Sequence, residues 1–124
     1  MFAIVAATAV LIQTMETDPA SLNGRGWAIR CAVSSQLSRE DSELQASIAR
    51  TNDAEEVALR HDAAMARAAI VYEQALIAPQ DVPAGPERFA LAHQFREWAK
   101  GLSELELIDV LGACEVALAP VPPS

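Results

Sequence analysis

The sequence predicts an all-α fold, a single compact bundle of about five helices closed by an αα-hairpin at its C-terminal end. Three observations predict it. Apolar residues recur at helical spacing along most of the chain. Two Ser/Asn-x-x-Glu patterns open helical stretches. No pair of alternating segments joined by a hairpin turn suggests a sheet. The chain has 124 residues, enough for one domain. Its apolar share is 52 %, and alanine supplies 25 of those 64 residues. Small side chains on helices favour close helix–helix approach and leave little material for the walls of a large cleft.

The first element covers residues 2–16. Phe2, Ile4, Val5, Val10 and Ile12 are compatible with a strand, whereas four alanines and a length above ten residues favour a helix. The apolar run Phe2–Ile12 has eleven residues, too few to span a bilayer, which needs roughly 20. No Lys or Arg precedes it, so the basic start of a secretory leader is missing. We expect a buried element of a cytoplasmic protein.

Asn23-Gly24-Arg25-Gly26 predicts a turn, with a weaker second reading as a backbone cradle for an anion. From Trp27 to Arg50 a narrow stripe of Val33, Leu37, Leu44 and Ile48 is diluted by Ser34, Ser35, Ser38 and Ser42, so only part of this helix is expected to be deeply buried. Asn52 and Glu55 read as a capping box that opens a helix over 53–77, although one helix could run through 27–77. The stretch 79–86 contains three prolines and predicts a loop. Pro86 opens a helix that Gly101 ends, with Leu91, Ala92, Phe95, Trp98 and Ala99 on its inner side. Ser103 and Glu106 form a second capping box for a last helix to about Ala119. The domain is therefore 1–119, followed by a loose proline-rich tail at 120–124.

The helix at 53–77 carries two apolar faces. One is broad, with Ala54, Val57, Ala58, His61, Ala64, Met65, Ala68, Val71, Tyr72 and Leu76. The other, nearly opposite, is Leu59, Ala63, Ala66, Ile70 and Ile77. A surface helix needs one stripe, so either this helix is central or its second stripe meets another chain. The last helix has a main face of Leu107, Val110, Leu111, Cys114 and Leu118, with Leu105 and Val116 outside it. The interface candidates are thus Leu59, Ala63, Ala66, Ile70, Ile77, Leu105 and Val116, together with Phe2, Ile4 and Val5.

Charge narrows the partners. Nine basic residues face seventeen acidic ones, giving a net charge of −8. The acids outnumber the bases in each part of the chain, so phosphate backbones and anionic membrane surfaces are excluded as partners. The pair of helices around Gly101 resembles a helix-turn-helix only in outline, because Glu104, Glu106, Asp109 and Glu115 would place carboxylates in a phosphate-lined groove.

Catalytic patterns are missing. There is no nucleophile elbow, phosphate loop or dinucleotide fingerprint. His93 and Glu97 share a face that points away from the apolar side of their helix, and neither histidine follows a Glu at the spacing of di-iron bundles. His61 stands in the broad apolar face. We read it as a core histidine bonded to a hydroxyl or carbonyl, with a metal or pH-sensitive role as the sharper alternative. Cys31 and Cys114 read as two buried thiols in a reducing compartment, with one structural disulfide as the alternative. No cofactor or metal is expected. The predicted function is a non-enzymatic helical interaction subunit or adaptor that forms a homo-oligomer or a larger protein complex. The alternative is a small acidic inhibitor of the immunity, antitoxin or anti-defence type that neutralises a basic protein.

Overall fold

The computed structural model describes residues 24–119. Within them the chain is helical with no strand. It forms α1 (Trp27–Thr51), α2 (Glu55–Ile77), α3 (Pro86–Lys100) and α4 (Glu104–Leu118). The expected count of about five is therefore corrected to four among the described residues; the element expected at 2–16 lies outside them, as does the tail at 120–124. The segment 27–77 is two helices; α3 and α4 are joined by a short turn, but each packs on α1 and not along the other, which corrects the C-terminal αα-hairpin expected from the sequence.

Each boundary has a local cause. α1 ends in a Schellman-type turn, where the Ala54 amide donates to the Ala49 carbonyl at 2.8 Å and the Asp53 amide to Arg50 at 3.2 Å. Asp53 accordingly takes the left-handed conformation at φ 55°, which Asp tolerates better than most residues. This corrects the capping box expected at Asn52. Asn52 is the C-cap of α1, and Ala54 precedes α2 with no side-chain cap. The reversal takes only three residues, so Asn52 is still engaged in closing the first helix. The second capping box is present: the Glu106 amide donates to the Ser103 hydroxyl, and the Ser103 amide to the Glu106 carboxylate. Pro86 occupies the first turn of α3, where its missing N–H costs nothing.

α1 is the central helix, touching α2, α3 and α4. α2 runs back along it, α3 returns in the direction of α1, and α4 runs down again. The centre of this up-down-up-down arrangement departs from expectation. The inner face of α1 is made of Cys31, Ser34, Ser35, Ser38, Ser42, Ala46 and Ala49, all buried. Against it lie Ala58, Ala68 and Ala75 of α2, also buried. Small side chains on both helices let the backbones approach closely. Ser35 satisfies its hydroxyl locally by donating to the Ala32 carbonyl at 2.9 Å. The expected stripe Val33–Leu37–Leu44–Ile48 lies on a different side. Val33 is buried and Leu37 half-buried beneath α3, whereas Leu44 and Ile48 are exposed. The reason is length: α1 has 25 residues and α3 only 15, so α3 cannot cover the far end of α1.

Two apolar clusters hold the bundle. Cys31, Val71, Ala75, Val110, Leu111 and Cys114 join α1, α2 and α4. Ile29, Val33 and Val82 join α1 to the 78–85 loop, with Leu91, Ala92 and Phe95 of α3 packed on them. Arg30 lies over the rings of Phe95 and Trp98 at 4.9 and 5.3 Å, and its partial burial lowers the guanidinium pKa.

Cys31 and Cys114 are joined in a disulfide between α1 and α4, with their Cα atoms 5.7 Å apart and both residues fully buried. The reading of two free thiols is therefore corrected. Sequence separation of 83 hid the pairing; the antiparallel return of α4 along α1 is what brings the two sulfurs together.

Candidate interaction surface

The residues singled out on the second face of 53–77 lie on the outer side of α2. Its inner side is fixed by Ala58, Ala68, Val71 and Ala75. Half a helical turn away, Leu59 is 57 % exposed, Ile70 56 % and Ile77 85 %. Ala63 and Ala66, between them on the same line, are exposed as well. Glu73 completes the line, and it too is exposed. The stripe continues over about 27 Å of helix, from the 1.5 Å rise per residue.

α4 presents a second outward stripe. Leu105 is 75 % and Val116 80 % exposed, with Ile108 exposed on the same side. The two helices are tied at their seam by an ion pair between Arg67 and Glu115, in which the Arg67 Nε donates to Oε1 of Glu115 at 2.8 Å. This contact holds the Glu115 carboxyl below its ordinary range and raises the arginine. At the other end of α2, Arg50 of α1 bonds Asp62 and reaches Glu55, which lowers the Asp62 carboxyl. The structure therefore places Leu59, Ala63, Ala66, Ile70 and Ile77 on one exposed stripe and Leu105 and Val116 on a neighbouring helix. Phe2, Ile4 and Val5 lie outside the described residues.

His61 does not sit in a sealed core. It is half-buried beside a narrow cleft of about 120 Å³ between α1, α2 and α4, lined also by Ser38, Asp41, Ser42, Arg67 and Glu104. Among the described residues no group of three or more His, Cys, Asp or Glu is arranged to hold a metal ion. His93 and Glu97 are exposed, and Glu97 pairs with Lys100 at 3.1 Å. A second, more apolar groove of about 240 Å³ runs between α1, α2 and α3 past Ile29, Val33, Tyr72, Leu76 and Ala92. It contains none of the residues singled out as interface candidates.

The turn at 24–26 holds an anion supplied by the chain itself. The Gly26 amide, at the start of α1, donates to both carboxylate oxygens of Asp81 at 2.8 and 3.0 Å. Arg25 pairs with Glu87 beside it. The sequence offered no signal for this pairing, because the partners are 55 residues apart.

Among the described residues no helix is long and apolar enough to cross a membrane. Compared with known protein families, curated proteins and solved structures, the chain matches none.

Proposed function

We propose that this chain is a non-enzymatic helical interaction subunit that assembles with itself or into a larger protein complex through the outer face of α2. The observation that carries the reading is the exposure of Leu59, Ile70 and Ile77 on the side of α2 opposite its packing face. Among the described residues the two apolar clusters draw on Val71 and Ala75 of α2 and on none of these side chains. Contiguous exposed apolar surface of this kind, rimmed by charge, marks interaction sites. The rim here is Glu55, Asp62 and Glu73 on one side and Glu56, Arg60, Arg67 and Gln74 on the other.

The acidic-inhibitor alternative draws support only from the net charge of −8. The acids are spread over all four helices, and Glu40, Asp62, Glu87, Glu97 and Glu115 are tied to bases of the same chain. A surface built to neutralise a basic partner would gather them in one patch.

We propose further, in place of the cytoplasmic expectation, that the chain works in an oxidising compartment; the buried Cys31–Cys114 disulfide supports this, because such crosslinks form and persist there. Thiol alkylation of the protein from its native source, with and without prior reduction, tests this: label taken up without reduction would contradict it. For the interaction itself, the test is co-purification and light scattering of the wild type against Ile70→Glu. Association with itself or with another protein is expected for the wild type and lost in the variant. A wild type that stays monomeric and recruits nothing overturns the proposal.

A further inference from the structure

The cleft beside His61 gathers polar groups that the bundle itself leaves without partners. Ser38, Asp41 and Ser42 of α1 line it, with His61 of α2 and Glu104 of α4. Ser38 is 9 % exposed and Ser42 6 %, yet among the described residues neither hydroxyl has a hydrogen-bond partner. Ser35 and Thr51 of the same helix turn their hydroxyls back onto backbone carbonyls. Ser38 and Ser42, one turn apart, do not, and a hydroxyl so far out of solvent needs a partner.

The charge at the mouth is negative. Asp41 and Glu104 are exposed there, and among the described residues neither is ion-paired. Both also line the neighbouring cleft between α1, α3 and α4, so together they form the wall between the two. Two carboxylates on one wall repel each other, and a cation beside them relieves that repulsion. Arg67 borders the cleft too, but its guanidinium is already bonded to Glu115.

We propose that this cleft binds a primary ammonium group carried on a short carbon chain. An ammonium offers three N–H donors and no acceptor, which suits a lining of carboxylates, hydroxyls and a neutral imidazole nitrogen. Leu107 and Leu111 of α4 give the carbon chain an apolar wall. The cleft of about 120 Å³ has room for about four water-sized groups at roughly 30 Å³ each. That is the size of propylammonium, or of the end of a lysine side chain. A metal ion suits the lining less well, since among the described residues no three of His, Cys, Asp or Glu converge to hold one. The site shares no residue with the outer stripe of α2 and does not depend on the reading of that face.

The test is an NMR titration of the whole chain at fixed ionic strength. The probes are n-propylammonium, Nα-acetyl-lysinamide and tetramethylammonium, which carries the charge without the donors. Saturable shifts of the Ser42, His61 and Glu104 amides are expected, with a dissociation constant of roughly 0.1–10 mM for so small a ligand. Tetramethylammonium is expected to bind about tenfold more weakly or not at all. Tighter binding of the lysinamide identifies a protein side chain as the source of the ammonium, and tighter binding of propylammonium a free amine. Asp41→Asn with Glu104→Gln is expected to weaken binding about tenfold, and Ser38→Ala with Ser42→Ala about fivefold, with circular dichroism unchanged. Shifts that never saturate, or a carboxylate variant that binds as tightly as the wild type, overturn the proposal. Tetramethylammonium binding as tightly as propylammonium overturns it as well.

Discussion

The Gly26 amide and the Asp81 carboxylate are hydrogen-bonded across the bundle, joining the first turn of α1 to the loop before α3. Asp81 acts as a distant N-cap, supplying from another element the anion that a neighbouring Ser or Asp would usually provide. Asp81→Ala is expected to destabilise the fold by about 1–2 kcal/mol, measured by denaturant unfolding. Asp81→Asn should recover part of that loss, since the amide oxygen still accepts. Gly26→Ala is expected to be worse. The added Cβ would sit 2.6 Å from Leu91 Cδ2, and φ is 80° at this position.

The serine face of α1 predicts opposite signs for two neighbouring substitutions. Ser34 is fully buried, and among the described residues its hydroxyl has no hydrogen-bond partner. Ser34→Ala removes that unsatisfied group and is expected to stabilise by about 1 kcal/mol. Ser35→Leu places a large side chain on the fully buried inner face of α1, and is expected to cost about 1–3 kcal/mol by overpacking. Thermal melts of the two variants should move in opposite directions.

Reduction of Cys31–Cys114 releases a crosslink spanning 83 residues. The loss of that constraint on the unfolded chain is worth on the order of 4 kcal/mol. Cys31→Ala combined with Cys114→Ala is expected to lower the unfolding midpoint strongly while preserving helicity. A midpoint unchanged by reductant would show that the crosslink contributes nothing to the fold.

Acid sensitivity follows from the ion pairs at the two edges of α2. Hydrogen bonds from Arg50 and Arg67 lower the Asp62 and Glu115 carboxyls below their ordinary values. A depressed folded-state pKa contributes stability that is present above the unfolded value, near 4, and lost as pH falls through the folded one. Stability is therefore expected to decline below about pH 4. Asp62→Asn with Glu115→Gln should flatten that decline and leave the neutral-pH melt almost unchanged, because exposed pairs are worth little.

Helix positions were legible in the sequence wherever punctuation was chemical. Pro86, Gly101 and the Ser103–Glu106 box bound α3 and α4 where expected. The outer stripe of α2 was legible as well, since a second face at helical spacing does not depend on the neighbours. The inner face of α1 was not. Serine is polar by any hydropathy scale, and its burial depends on an alanine-rich partner coming close enough to need small residues. The Asn52 box failed for a related reason. The same residues serve a C-cap when the preceding helix runs on to meet them. Long-range pairings such as Cys31–Cys114 and Gly26–Asp81 depend on topology, which no local spacing encodes.

Light scattering of the full chain across a hundredfold range of concentration, beside Ile70→Glu, tests the central claim most directly. The wild type is expected to exceed the 13.2 kDa of the single chain, by self-association or with a co-purifying protein, while the variant stays at 13.2 kDa throughout. A wild type that remains at the mass of one chain at every concentration and recruits no other protein, or a variant that associates as well as the wild type, would contradict it.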